Sequence, residues 1–449
     1  NALETADTTA FHLFEEFLDL LGLTNLTSSL KEIVKRKEVY KHIFHLCPDT
    51  DDSFINLEFG SLLFKMRYQF PQAFKLWEKQ FNNPTSIFDA LKKYAYRPFH
   101  NDPQKDVIDP RTYMFVRFFL DEAKAAGKDV ALPTTWSQNT AELKTESKKG
   151  VQMPENINNV DVLICANVVY GITVSILSGL ISPESLHDAA IAQIYHNAST
   201  LIAYEIQTNL SSRPELTMPF YPSQMQFYWM VSKTVAALDA ARVQRPLPVQ
   251  VMEEVHEVLQ NVAKGSMTKY ILSEAKADEH GDVYFDGFLG NADLTQDNQQ
   301  LLRGEDRIYT TAMAVNALLG TWTRFNETSS KSSWKKDVPP QVEQVVDASV
   351  RWLTKYTFSG NYEPWNAVFS VVEKDKSMVI NQYPANLFQD VNGTVLPWSK
   401  SYNVVTDILA IKGYIPPTQY ASLFPFWSSE ALTYSATLLA ISRYKEIVG

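Results

Sequence analysis

Apolar residues recur along this chain at steps of three and four. Few segments alternate strictly as half-buried strands do, so the pattern predicts a mainly helical protein. Two kinds of helix emerge. Long, unusually apolar segments open at polar or Pro-containing starts: Asp51 (to about Met66), Asp109-Pro110 (to about Ala123), Asp161 (to about Leu177), Pro222-Ser223 (to about Leu238), Asp306 (to about Trp322) and Ser428-Ser429 (to about Tyr444). Between them run amphipathic segments with charged faces, namely Thr8–Leu23, Thr27–Lys37, Ala73–Gln80, Pro183–Gln207, Pro248–Ala263 and Pro340–Tyr356.

This alternation predicts an all-α fold in which an inner ring of apolar helices is wrapped by an outer ring, an (α/α)6 toroid spanning 1–449 as a single domain. The competing arrangements are an irregular helical protein and a helical solenoid, because the intervals between the apolar helices are uneven. Polar stretches at Gln138–Asn158 and Asn326–Asp337 predict long exposed rim loops. The aromatic, Pro-containing segment Asn361–Pro397, with its run Ala367-Val368-Phe369-Ser370-Val371-Val372, predicts a small β-hairpin.

Composition narrows the function. At 449 residues and 45% apolar the chain can bury a large core. A net charge of −10, with no basic block longer than Lys35-Arg36-Lys37, argues against nucleic acid as a partner. Val162–Ile181 is free of charge over a membrane-length stretch, but Asn167, Gly171, Thr173, Ser175, Ser178 and Gly179 interrupt it. It reads as a helix buried on all sides, and no transmembrane segment is expected. Two cysteines, Cys47 and Cys165, exclude a Cys-based zinc site and leave at most one disulfide. Asn-x-Ser/Thr acceptors at Asn25, Asn197, Asn209, Asn326 and Asn392, with a chain that starts at Asn1 as after signal-peptide removal, predict a secreted or lumenal glycoprotein.

The candidate chemistry lies at Pro48-Asp49-Thr50-Asp51-Asp52-Ser53, where three carboxylates precede an apolar run. Enclosed together, they cannot all ionise cheaply, and a carboxylic acid kept protonated near neutral pH is a proton donor. The same residues are also good helix N-caps. If the inner helices run parallel, their starts bring Asp51, Asp52, Asp161, Ser223, Asp306 and Ser428 to one end. Tyr113, Tyr221, Tyr228, Trp229, Tyr309, Trp427 and Tyr434 lie at the starts or a turn or two inside. Ring faces stabilise positive charge without attacking it, which suits a substrate that becomes cationic. The alternative is that these rings only fill the core.

Asp49-Thr50-Asp51-Asp52 resembles the Asp-x-Asp-Asp motif of class II terpenoid cyclases, and the apolar helices after Asp161 and Asp306 look like inner helices of the α/α-toroid superfamily that also holds the protein prenyltransferases. The resemblance implies that Asp51 is the general acid protonating an alkene or epoxide, with Asp49 and Asp52 tuning it. It implies a small, apolar, isoprenoid-like ligand in a barrel lined by Tyr113, Tyr228, Trp229, Tyr309, Trp427 and Tyr434. It implies cyclisation or isomerisation without a cofactor. A second expectation is a secreted, non-catalytic toroid that binds an apolar ligand or a protein, and a third is paired-carboxylate glycan chemistry.

Gly-x-Ser-x-Gly, His-Glu-x-x-His and Walker motifs are missing. The scattered histidines, with only His42/His45 at helical spacing, predict no metal site. The acidic segment Asp278–Gly287 lacks EF-hand spacing and reads as a solvated loop.

Overall fold

The computed structural model describes residues 46–81, 83–100, 102, 105–151, 153, 157–208, 218, 221, 223–287, 306–326, 331–362, 364, 366, 368 and 429–449. The expected helices Thr8–Leu23 and Thr27–Lys37, and most of the expected hairpin segment Asn361–Pro397, lie outside the described residues. Contacts divide the chain into two units, residues 1–47 with 144–152 and residues 48–143 with 153–449.

Among the described residues the fold is mostly helical, with few short strands. The helices are α1 (Thr50–Lys65), α2 (Pro71–Gln80), α3 (Ser86–Tyr94), α4 (Pro110–Ala125), α5 (Leu143–Lys148), α6 (Val162–Ser178), α7 (Ala189–Gln207), α8 (Gln224–Gln244), α9 (Gln250–Val262), α10 (Thr268–Glu274), α11 (Arg307–Trp322), α12 (Pro340–Tyr356) and α13 (Glu430–Val448). A π turn over Ala263–Met267 joins α9 to α10. All six apolar helices expected from the sequence are present, each starting within two residues of its expected polar signal. Side chains account for several of these starts: Asp49 caps α1, Asp161 accepts from the amides of Leu163 and Ile164, Ser223 caps α8 and Ser429 caps α13.

Five of the six apolar helices pack in chain order, α1 on α6, α6 on α8, α8 on α11 and α11 on α13. Residue pairs show that they run parallel. Asp51 meets Asn167, and a Cβ placed on Gly171 would touch Phe54 Cδ1 at 2.9 Å, so α1 and α6 advance together. Tyr309 donates to Gln226 near the starts of α11 and α8, Asn316 donates to the Ala436 carbonyl midway along α11 and α13, and Ser332, beyond the end of α11, donates to Glu446 in the last turn of α13. Gly171 lets the α1 and α6 backbones approach, since any side chain there would strike the Phe54 ring. Helix α11 is buried from Ile308 to Trp322 without a break, held between α8 and α13 with α12 behind it. Its Thr321 hydroxyl bonds back to the Ala317 carbonyl, satisfying a group that would otherwise be costly to bury.

A second layer consists of α7, α9 and α12. Helix α7 packs on α6 and α9, α9 on α8, and α12 on α11 and α13. The expected inner helix at Asp109-Pro110 departs from the pattern: α4 packs on α7 of the second layer. Its own residues explain this, because Arg117, Asp121, Glu122 and Lys124 give it a polar face, and Phe118 is exposed. No described helix is long and apolar enough to cross a membrane.

Two expected loops differ from the reading of the sequence. Strands β3 (Thr323–Asn326) and β4 (Lys331–Trp334) pair antiparallel, where an exposed loop was expected from Asn326 onward. Gln138, Asn139 and Asn158 at the two ends of the other polar stretch are buried. Asn158 accepts from the Trp136 amide at 2.9 Å and donates to the Trp136 and Gln138 carbonyls at 2.7 and 2.9 Å, so amide chemistry, not solvation, explains its polarity. The acidic segment Asp278–Gly287 is partly a turn between the two-residue strands β1 (Lys276–Ala277) and β2 (Val283–Tyr284). Asp278 there accepts from the amides of His280 and Asp282.

Candidate functional site

The start of α1 is fixed from behind. Its Thr50 amide donates to the Thr135 carbonyl at 2.8 Å, Ser137 donates to the Pro48 carbonyl at 2.8 Å, and Thr135 donates to the Asn159 carbonyl at 3.0 Å. The extended segment around Trp136 therefore ties the head of α1 to the residues just before α6. Because α6 and α8 begin beside it, this head faces their N-terminal ends.

The three carboxylates of the motif meet different fates. Asp49 is half-buried, and its Oδ1 accepts from the Asp51 amide at 2.7 Å, which is a capping role. Burial, followed by the charges of Asp51 and Asp52, pushes it up to about 7. Asp52 is exposed, and its charge pushes Asp49 and Asp51 upward. Asp51 is 1% exposed. Its carboxyl accepts from Asn167 Nδ2 at 2.6 Å and from the Tyr221 hydroxyl, and burial raises its pKa while those two donors pull it back. Tyr221 is itself pushed far upward by burial and by Asp51, so it remains a phenol and a donor. The Oδ1 of Asn167 is buried without a partner, which leaves one unused acceptor against this carboxyl's neighbour.

Seven residues along the same helix, about 10 Å deeper by helical rise, stands Glu58. Lys233 of α8 reaches it at 3.3 Å, and the ammonium lies 4.1 Å from the centre of the Tyr170 ring and 5.2 Å from that of Trp229. Burial pushes Glu58 up to about 7 against the pull of Lys233, and its Oε1 is buried without a partner. Arg443 of α13 is depressed by burial and couples to Tyr170. This second cluster escaped the sequence reading, as did Asn167. The visible signal was an Asn inside an otherwise apolar helix, a residue type that is buried only when it has something to bond.

The expected aromatic wall is only partly assembled. Trp229 faces the Lys233 ammonium. Tyr228 is buried, accepts from Gln224 Nε2 at 2.7 Å and meets the Tyr270 ring edge-on at 5.7 Å, so it packs toward α10. Tyr309 is buried, donating to Gln226 at 2.7 Å between α11 and α8. Tyr113 is buried on α4, away from the row of parallel helices. Tyr434 stacks on Phe358 with ring centres 5.2 Å apart, and Trp427 lies outside the described residues.

Of the expected glycan acceptors, Asn25, Asn209 and Asn392 lie outside the described residues, and Asn326 ends β3. Asn197 sits in the middle of α7 with its Nδ2 buried, which leaves no room for a sugar on that atom. Cys47 and Cys165 form no disulfide. Among the described residues no group of His, Cys, Asp and Glu could hold a metal ion. Comparison with protein-family models, characterised proteins and solved structures finds no match.

Proposed function

We propose that this chain catalyses a protonation-initiated cyclisation or isomerisation of an isoprenoid, with Asp51 as the acid, in a barrel formed by closing the row of parallel helices into an α/α toroid. The observation that carries the reading is the setting of Asp51: a buried carboxyl bonded by Asn167 of α6 and by Tyr221, just ahead of α8, rather than by backbone amides. A cap needs backbone amides; an acid needs a carboxyl that is kept neutral and held in place. The proton would pass from Asp51 to an alkene carbon, the cation would be captured by a second double bond, and a proton would leave to a base at the end. Tyr221 and Asn167 would hold the carboxyl in one orientation and stabilise the carboxylate left behind.

The rival reading is a non-catalytic carrier of an apolar ligand. It draws on Asp49 and Asp161, both of which act as caps. The two are separated by incubating the intact chain with linear isoprenoids, free and diphosphorylated, in D2O. The catalytic reading expects a cyclic or isomerised product carrying one deuterium, abolished in Asp51→Asn. An unchanged substrate that co-purifies with the protein would favour the carrier.

A further inference from the structure

A second site lies far from Asp51, at the opposite end of α8. There the last turns of α8, the outer helix α9, strand β3 and the residues just after β4 line an open cleft of about 550 Å³, within the range of small-ligand pockets. It lies between the inner and second layers, not between the parallel helices. Its floor is a network of buried polar groups. His256 is 2% exposed, and its Nδ1 lies 2.9 Å from an Arg242 guanidinium nitrogen. Because Arg can only donate, Nδ1 accepts, and Nε2–H is left to donate to Asp239 Oδ1 at 2.6 Å. Gln260 Nε2 donates to the same carboxylate at 2.8 Å, and Lys335 pairs with its other oxygen.

Charge accounting gives the cleft its sign. Of its two carboxylates, Asp239 is matched by Lys335, and Asp337 by Lys264 at 2.6 Å. Arg242 is matched by Glu253 at 3.0 Å. Arg324 and Lys336 line the same cleft and have no ion-pair partner among the described residues. Two unmatched cations therefore face one cavity in a chain whose net charge is −10.

Both side chains are exposed, and the backbone beside them is fixed. The Lys335 amide bonds to the Trp322 carbonyl at 2.8 Å, Thr323 donates to the Leu319 carbonyl at 2.6 Å, and Lys335 Nζ donates to the Thr321 carbonyl. Lys335 serves the end of α11 in this way, where a cation complements the helix dipole. Arg324 and Lys336 make no such bond. Backbone pairing of Arg324 with Ser333 fixes the strand that carries it, so a ligand has only the side chains to order.

We propose that this cleft binds the phosphate or diphosphate group of a small soluble molecule, with Arg324 and Lys336 neutralising its charge and Arg242 lining the site beside them. Arg supplies a planar fork of donors and Lys a point charge, a pairing suited to a dianionic tetrahedral group.

The test is isothermal titration calorimetry of the intact chain with sodium pyrophosphate at constant ionic strength, with sulfate as comparator. The double variant Arg324→Ala/Lys336→Ala alters only exposed side chains, and its helical circular dichroism serves as the folding control. The expected result is saturable one-site binding, tighter for pyrophosphate than for sulfate and weakened at least about tenfold in the double variant. Absence of saturable heat, equal affinity in the double variant, or sulfate bound as tightly as pyrophosphate would each overturn the assignment. None of these outcomes depends on Asp51.

Discussion

Replacing Asp51 by Ala and by Asn separates a buried acid from a mere cap. The Ala variant strips the acceptor from two buried donors, the Tyr221 hydroxyl and Asn167 Nδ2. At about 1–3 kcal/mol for each buried group left unsatisfied, the loss is about 2–6 kcal/mol. The Asn variant keeps the shape, and its amide oxygen can still accept from Tyr221. Its amide nitrogen then faces Asn167, whose orphaned Oδ1 becomes a partner if that side-chain amide flips. Its stability is therefore expected within about 1 kcal/mol of the wild type at about pH 5.

The pH dependence follows from the raised pKa of Asp51. A carboxyl whose native pKa lies above its unfolded value contributes stability that is complete below the unfolded pKa and is lost as pH rises toward the native one. The neutral Asn carries no such loss, so its stability should rise relative to the wild type between about pH 5 and pH 8. Urea denaturation followed by tryptophan fluorescence measures both variants. If Asn proves as damaging as Ala, or its difference from the wild type is the same at both pH values, Asp51 is not a sequestered acid and the reasoning fails.

Glu205, 3% exposed with its Oε1 unpartnered, is pushed up to about 9 by burial alone. Glu205→Gln should therefore gain on the wild type by up to about 1.4 kcal/mol per pH unit above about pH 5, and parallel denaturation curves against pH would show otherwise. A Cβ on Gly320 would sit 2.5 Å from Ser232 Oγ and 3.2 Å from the Ser232 carbonyl oxygen. Gly320→Ala should cost about 1–3 kcal/mol despite its better helix propensity, and adding Ser232→Gly should recover part of it; a melting temperature unchanged in the single variant refutes the close approach. Asn158→Ala removes four buried hydrogen bonds behind the head of α1 and should cost about 2–4 kcal/mol, read by thermal unfolding.

The chain's own pattern was enough to locate the six apolar helices and four of the amphipathic ones, but not the short helices α3, α5 and α10. Periodicity is local, and polar caps such as Asp161 and Ser223 act within a turn of where they stand, so starts and faces could be read without the fold. It also singled out the acid cluster. What it could not decide was which of three adjacent carboxylates would be sequestered, because that depends on partners 116 and 170 residues away, Asn167 and Tyr221, arriving at one point. The same limit applies to α4, whose apolar character matched the inner helices but which, with its charged face, packs on α7 of the second layer. It applies too to the Arg324–Lys336 cleft, where two cations are left unmatched only once β3 and the residues after β4 lie beside α8 and α9. Helix formation depends on neighbours in the chain, whereas the protonation and pairing of a side chain depend on neighbours in space, and only the tertiary structure brings those together.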